Sequence, residues 1–194
     1  MHQVLATLSS VPEIPVGTGG FLNPEKVAGG FGIKEGMKIS DFGCGAGYLT
    51  IIMAEKTGPE GNVYAFDVQE NPLDTVKAKA RALGLKNVEA IRANLEIPRS
   101  SGLEDNSQDI VLLANILFQS NKKPEIIREA VRVLAKGGRL VIIDWKKGVN
   151  SFGPPEERKS DVGDMIKIAE PEGVKLENPI DAGSFHFGLI FKKI

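Results

Sequence analysis

Cysteine is almost missing from these 194 residues: Cys44 stands alone, so an internal disulfide is impossible and a reducing, cytoplasmic setting is expected. No apolar run approaches the roughly 20 residues a membrane-spanning helix needs. The N-terminal stretch lacks the basic region and apolar segment of a secretory signal. Neither sign of charge dominates, since 24 Lys and Arg face 25 Asp and Glu for a formal net charge of -1. That leaves no general electrostatic footprint for nucleic acid or an anionic membrane, so neither is expected as a partner. No internal repeat or low-complexity tract is present, and no metal site is expected. What remains is ordinary for a globular domain: a hydrophobic share of 42% and a length that fills one core with little left over.

The informative stretch is Asp41-Phe42-Gly43-Cys44-Gly45-Ala46-Gly47. Met37 to Ser40 before it reads as a short buried strand, and Tyr48 to Lys56 after it as a helix. A glycine-rich turn at such a junction lets the backbone approach a ligand at the open positive end of a helix dipole. Dinucleotide folds want glycines at the first, third and sixth positions of this turn. Counted from Gly43, the sixth position is Tyr48, so that fingerprint fails; Gly43, Gly45 and Gly47 alternate instead.

Residues 1–21 show no clear periodicity and carry Pro12, Pro15, Gly17, Gly19 and Gly20, the composition of a mobile arm or lid before a single domain over 22–194. Asn23 as N-cap and Pro24 at the first position begin a short helix that Gly29-Gly30 ends. A second strand, Val63 to Phe66, ends in Asp67. Asn71 and Pro72 read as the capped start of a helix with Leu73, Val76, Ala80 and Leu83 on one face, closed by Gly84. Val88 to Ala93 is a third strand ending at Asn94, and residues 96–107 form a polar loop or one short helical turn. Ile110 to Ala114 has the pattern of a strand buried on both faces. Pro124 opens a helix striped with Ile126, Ile127, Ala130, Val131, Val133 and Leu134, after which Gly137-Gly138 turns the chain into a strand from Leu140 to Ile143, ending at Asp144. A polar loop, a helix over 161–170 and two strands, Val174 to Pro179 and Phe185 to Phe191, complete the chain. This alternation predicts an α/β fold, doubly wound around a mostly parallel seven-stranded sheet with a C-terminal antiparallel hairpin.

In such a sheet, ligand sites form outside the carboxyl ends of the strands. Asp41, Asp67, Asn94, Asn115 and Asp144 fall at or just beyond five of them. Any one could be a cap; five together point to a ligand. Asp67, at the tip of the second strand, can accept two hydrogen bonds from vicinal ribose hydroxyls. Cys44 sits where a turn needs small residues and reads as a space-filler, His186 as a packed or surface histidine. Asp144, beside Trp145, is a candidate general base as well as a candidate cap.

An acidic residue two positions before the first glycine, followed by G-x-G-x-G, resembles motif I of the Rossmann-like (class I) S-adenosylmethionine-dependent methyltransferases. The stretch Val133-Leu134-Ala135-Lys136-Gly137-Gly138-Arg139-Leu140 resembles that family's passage into its fifth strand. The resemblance implies S-adenosylmethionine as cofactor, held by Asp41, Gly43, Cys44, Gly45 and Gly47, with Asp67 on the ribose and Val68 beside the adenine. Asn94 would meet the adenine amino group and Asn115 the methionine part, with Leu95 also among the cofactor-binding residues. Asn94 departs from the family, which often has aspartate there. Asn115 to Gln119 is not the Asn/Asp-Pro-Pro-aromatic motif of methyltransferases acting on adenine or glutamine amino groups, and a lone cysteine argues against arsenite. The implied reaction is in-line methyl transfer to an acceptor, a small molecule in preference to a protein. The arm, Phe118-Gln119, Asp144-Trp145 and the loop from Ser151 to Pro155 would enclose it.

Two other classes fit part of the pattern. A nicotinamide-dependent oxidoreductase shares the layout, though Tyr48 in place of the third glycine counts against it. A silent adenosyl-ligand-binding domain fits because positioning alone can supply on the order of 7–11 kcal/mol, so a methyltransferase needs no strict catalytic signature.

Overall fold

Alternating apolar runs and amphipathic stretches become alternating strands and helices in the computed structural model, which describes residues 20–148 and 152–194. All but the last two residues of the expected N-terminal arm, and Ser151 of the expected acceptor loop, lie outside the described residues. In chain order the elements are α1 (Pro24–Gly29), β1 (Lys38–Phe42), α2 (Tyr48–Thr57), β2 (Asn62–Asp67), α3 (Glu70–Ala82), β3 (Val88–Arg92) and β4 (Gln108–Ala114). Then come α4 (Lys123–Val133), β5 (Leu134–Trp145), α5 (Val162–Ala169), β6 (Val174–Ile180) and β7 (His186–Lys193).

The seven strands form one sheet in the order β3-β2-β1-β4-β5-β7-β6. β1 pairs in parallel with both β2 and β4, so the chain builds outward to β3 and then crosses back over β1. That reversal opens a crevice at the carboxyl ends of β1 and β4, where doubly wound sheets bind ligands. β7 runs antiparallel between β5 and β6. Strand side chains alternate between faces. Val111 and Leu113 enter one apolar layer with Ile127 and Ala130 of α4, while Ile110 and Leu112 enter the other with Met53 and Ala54 of α2.

Local signals explain most boundaries. Asn23 caps α1 by accepting the Lys26 N–H at 3.1 Å. Asp161 caps α5 by accepting the Gly163 N–H at 2.8 Å. Three expectations need correction. α3 starts at Glu70 with Gln69 in the cap position, because Asp67 Oδ1 accepts the Gln69 N–H at 2.9 Å and turns the chain early. Asn71 and Pro72 therefore sit in the first helical turn, where a missing N–H costs nothing. Leu83 falls just after the helix and is 56% exposed, so it does not extend the buried face. β5 begins at Leu134 and takes Gly137-Gly138 into itself as an irregularity: Leu134 pairs with Gln108, and Arg139 with Ile110.

Gly47 shows how tightly α2 and α3 meet. Its φ is 75°, and a Cβ there would come within 2.6 Å of Val76 Cγ2 on α3. Gly47→Ala is expected to destabilise the fold by more than the roughly 1–2 kcal/mol that left-handed backbone alone costs a non-glycine residue. Urea unfolding reads this directly, and an unchanged midpoint would contradict the close contact.

Candidate active site

β1 delivers the glycine loop to the crevice, and the tip of β2 holds it there. The Gly43 and Cys44 N–H groups both donate to Phe66 O, each at 2.8 Å, and the Gly47 N–H donates to Cys44 O at 2.9 Å. Gly43 and Gly45 have φ of 79° and 51°, a region that side chains enter only with strain. A Cβ on Gly43 would lie 2.7 Å from Ile116 Cδ1, whereas one on Gly45 would meet nothing within 4 Å. The first glycine is thus needed for the approach of the segment after β4. The second leaves bare backbone facing open space. From α3, Lys79 Nζ donates to Ala46 O at 2.8 Å while standing 3.8 Å from the centre of the Tyr48 ring.

Asp67 latches this loop. Its Oδ2 accepts the Gly45 N–H at 3.2 Å and its Oδ1 the Gln69 N–H, so each oxygen keeps a lone pair for a further donor. Past β3, Asn94 Oδ1 accepts the Glu96 N–H at 3.1 Å, and Leu95 is buried. Past β4, Asn115 adopts a left-handed φ of 55°, which is uncommon for a non-glycine residue. Two hydrogen bonds hold it there: its N–H donates to Ile143 O at 2.8 Å, and its carbonyl accepts Gln119 Nε2 at 2.9 Å. The buried Asn115 Oδ1 has no hydrogen-bond partner among the described residues. Backbone strain beside an orphaned acceptor is a pattern of ligand sites.

These segments surround a cavity of about 520 Å³, an ordinary size for a small-molecule site. Gly43, Cys44, Gly45, Asp67, Val68, Asn94, Leu95 and Asn115 line it, eight of the ten residues selected as cofactor ligands. Asp41 and Gly47 do not. β1 runs on to Phe42, so Asp41 lies inside the strand, where its buried carboxylate accepts Thr50 Oγ1 at 2.6 Å. Burial pushes that carboxyl up to about 6, opposed by the Thr50 hydrogen bond and assisted by the Asp67 charge. Asp41 thus ties β1 to α2, and Gly47 seats the loop against α3. Pro72, Glu96, Ile116, Gln119 and Ser120 also line the cavity. Of these, only Gln119 had been singled out; the others carry no sequence signal beyond following a strand or opening a helix.

Burial, with the Asp41 and Asp67 charges adding to it, drives the Cys44 thiol far above its ordinary range. It stays protonated, which suits a space-filler and excludes a thiolate nucleophile.

Asp144 is fully buried and does not line the cavity. Its Oδ1 accepts the Trp145 N–H at 2.8 Å, and its Oδ2 has no hydrogen-bond partner among the described residues. Burial pushes the carboxyl up to about 6 against the Trp145 amide, the Lys123 charge and the Phe118 amide. Such an acid contributes stability that is fully present below about pH 4 and lost as pH rises through about 6. Asp144→Asn should therefore gain about 2–3 kcal/mol on the unsubstituted chain between those limits. Urea unfolding across that range checks it; a constant difference between the two proteins would contradict it.

Among the described residues, no helix is long and apolar enough to cross a membrane. A family model described as a methyltransferase domain matches residues 33–171. A SAM-dependent methyltransferase of Aquifex aeolicus, known from a crystal structure, superposes with a TM-score of 0.80 at 34% identity, over 90% of this chain and 91% of that one. Demethylmenaquinone methyltransferase of Listeria welshimeri is 35% identical over 129 residues, 62% of this chain and 53% of that protein. The enzyme of the same name from Bacillus mycoides is 35% identical over 113 residues, 58% and 46% of the two chains. This chain thus spans about half the length of the curated relatives it matches. With these matches, and with the glycine loop and Asp67 in place at the crevice, the chain belongs to the class I S-adenosylmethionine-dependent methyltransferases.

Proposed function

We propose that the chain binds S-adenosylmethionine in the cavity between β1, β2 and β4 and directs its methyl group to a small-molecule acceptor. The observation that carries this is the meeting, in one cavity, of a bare glycine loop, an acid with free lone pairs and an orphaned amide oxygen. When bound, the cofactor supplies an activated methyl group on a sulfonium centre. Gly45 would let the amino-acid end lie against backbone, and Asp67 would hold both ribose hydroxyls. Asn94 has one lone pair of its carbonyl committed to Glu96, so its second lone pair and its amide N–H groups would serve the adenine. The Asn115 Oδ1 would accept from the ammonium group. Val68 and Leu95 would flank the base and exclude water.

Asp144 acts in this reading as a positioning residue: it does not line the cavity, and by accepting the Trp145 N–H it fixes the end of β5. The small-molecule acceptor is supported by the demethylmenaquinone methyltransferases among the relatives. Two assays test the reading. Calorimetry should show saturable S-adenosylmethionine binding and none of a nicotinamide dinucleotide. Methyl transfer from labelled cofactor should then appear with small hydroxylated rings. Binding without turnover on any acceptor would favour a silent domain, and transfer only to proteins would move the acceptor class.

A further inference from the structure

The end of β5 and the start of β7 hold a second group of side chains that cofactor binding leaves unused. Trp145 and His186 are register partners across the β5–β7 ladder, with ring centroids 4.2 Å apart. Gly153 lies against the indole: a Cβ there would come within 2.4 Å of Trp145 Cε3, so this crossing requires glycine. Next to it, Phe152 meets Phe21 at 5.7 Å and Phe185 at 5.6 Å, and Phe21 meets Phe185 at 5.1 Å. Phe21 and Phe152 are 61% and 58% exposed, so the cluster presents apolar rings to the surface.

Beside these rings sits His186, only 3% exposed, with neither ring nitrogen hydrogen-bonded among the described residues. Buried polar atoms are nearly always paired, and two orphans on one side chain call for an explanation. Ser160, whose N–H donates to Trp145 O at 3.2 Å, also has a buried hydroxyl without a partner among the described residues. The group lies at the same end of the sheet as the cavity, because Asn115 of the cavity wall donates to Ile143, two residues before Trp145.

We propose that His186, Trp145, Phe21, Phe152 and Phe185 form the acceptor subsite, which takes a planar apolar ring bearing a hydroxyl group. That this ligand is the methyl acceptor rests on the methyltransferase reading; its binding does not require the cofactor. The hydroxyl follows from imidazole chemistry. A neutral imidazole offers one N–H donor and one acceptor lone pair, and a hydroxyl is both, so it pairs with whichever nitrogen it meets. Burial, with the nearby Lys146 charge, holds His186 down to about 4, so the ring is neutral at physiological pH and a carboxylate ligand would find no imidazolium. The apolar ring follows from the exposed phenylalanines.

Trp145 is the only tryptophan, so its emission reports this place alone. Without cofactor, the chain is titrated with 4-nitrophenol, at a slightly acid pH that keeps the phenol neutral, and with nitrobenzene, which lacks the hydroxyl. The expected result is saturable quenching by both, with the phenol roughly three- to tenfold tighter. That preference should disappear in His186→Phe, and both probes should weaken in Phe152→Ala, a surface change that leaves the core intact. Linear quenching, equal affinities, a folded His186→Phe protein that keeps the preference, or an unaffected Phe152→Ala would overturn the proposal. S-adenosylmethionine binding, followed by calorimetry on the same preparation, separates the two readings. Its loss with phenol binding intact would sink the cofactor site alone, and the converse would sink the subsite alone.

Discussion

Replacing Asp67 by alanine is expected to weaken S-adenosylmethionine binding by about a hundredfold. The carboxylate would accept two ribose hydroxyls, and hydrogen bonds to a charged group contribute about 1.5–3 kcal/mol each, with tenfold in affinity for every 1.4 kcal/mol. Part of the loss comes through the loop, since Asp67 Oδ2 also holds the Gly45 N–H. Asp67→Asn separates these effects. Its one amide oxygen can keep a loop contact but cannot serve both hydroxyls, so a loss of roughly tenfold is expected. Titration calorimetry reads both, and an alanine variant that binds within threefold of the original would place the ribose elsewhere.

Glu129→Ala should have the largest effect on stability, about 3–5 kcal/mol, because it removes one of the two carboxylates that balance the part-buried Arg132 charge and orphans two backbone donors. Glu129 is 3% exposed and accepts from Arg99 N, Ser101 N, Ser101 Oγ, Arg132 Nε and Arg132 Nη2. The substitution would leave Arg132 with the Asp105 carboxylate, the Leu103 carbonyl and the Ser101 hydroxyl, and would orphan two backbone donors in the loop that begins at Asn94. Burial alone would raise the Glu129 carboxyl; the Arg132 and Ser101 hydrogen bonds, with the Arg99 amide, overcome it and hold the group down to about 2. The native chain therefore gains stability above about pH 4.5 that is lost as pH falls toward 2. Urea unfolding should show both the drop and a flatter acid limb in the variant. A loss under 1 kcal/mol, or an unchanged acid limb, would show that the network does not bear on stability.

How much of this was legible depended on whether the cause was local in sequence. Asn23 and Pro24 act on the next turn of chain, and the apolar runs from Val63 and Ile110 act through periodicity, so α1, β2 and β4 could be read directly. The glycine loop and Asp67 were readable because spacing alone places them at strand ends. Asp41 was misplaced because β1 runs two residues past Ser40, which puts Asp41 inside the strand, bonded to Thr50, and not in the crevice. The start of α3 was missed because Asp67 reaches forward to Gln69, a bond that no propensity encodes. Glu129 and His186 were illegible for a different reason. The partners of Glu129 include residues 28 and 30 positions away, and the setting of His186 is made by Trp145 across the sheet. Only the folded topology brings those groups together.

The central claim is that the bare loop at Gly45 and the carboxylate of Asp67 face one bound nucleoside. A crystal structure of the chain with S-adenosylhomocysteine tests this most directly. Ribose oxygens within hydrogen-bond distance of Asp67, with the amino-acid end against Gly45, are the predicted result; a ligand seated away from both residues would contradict the account.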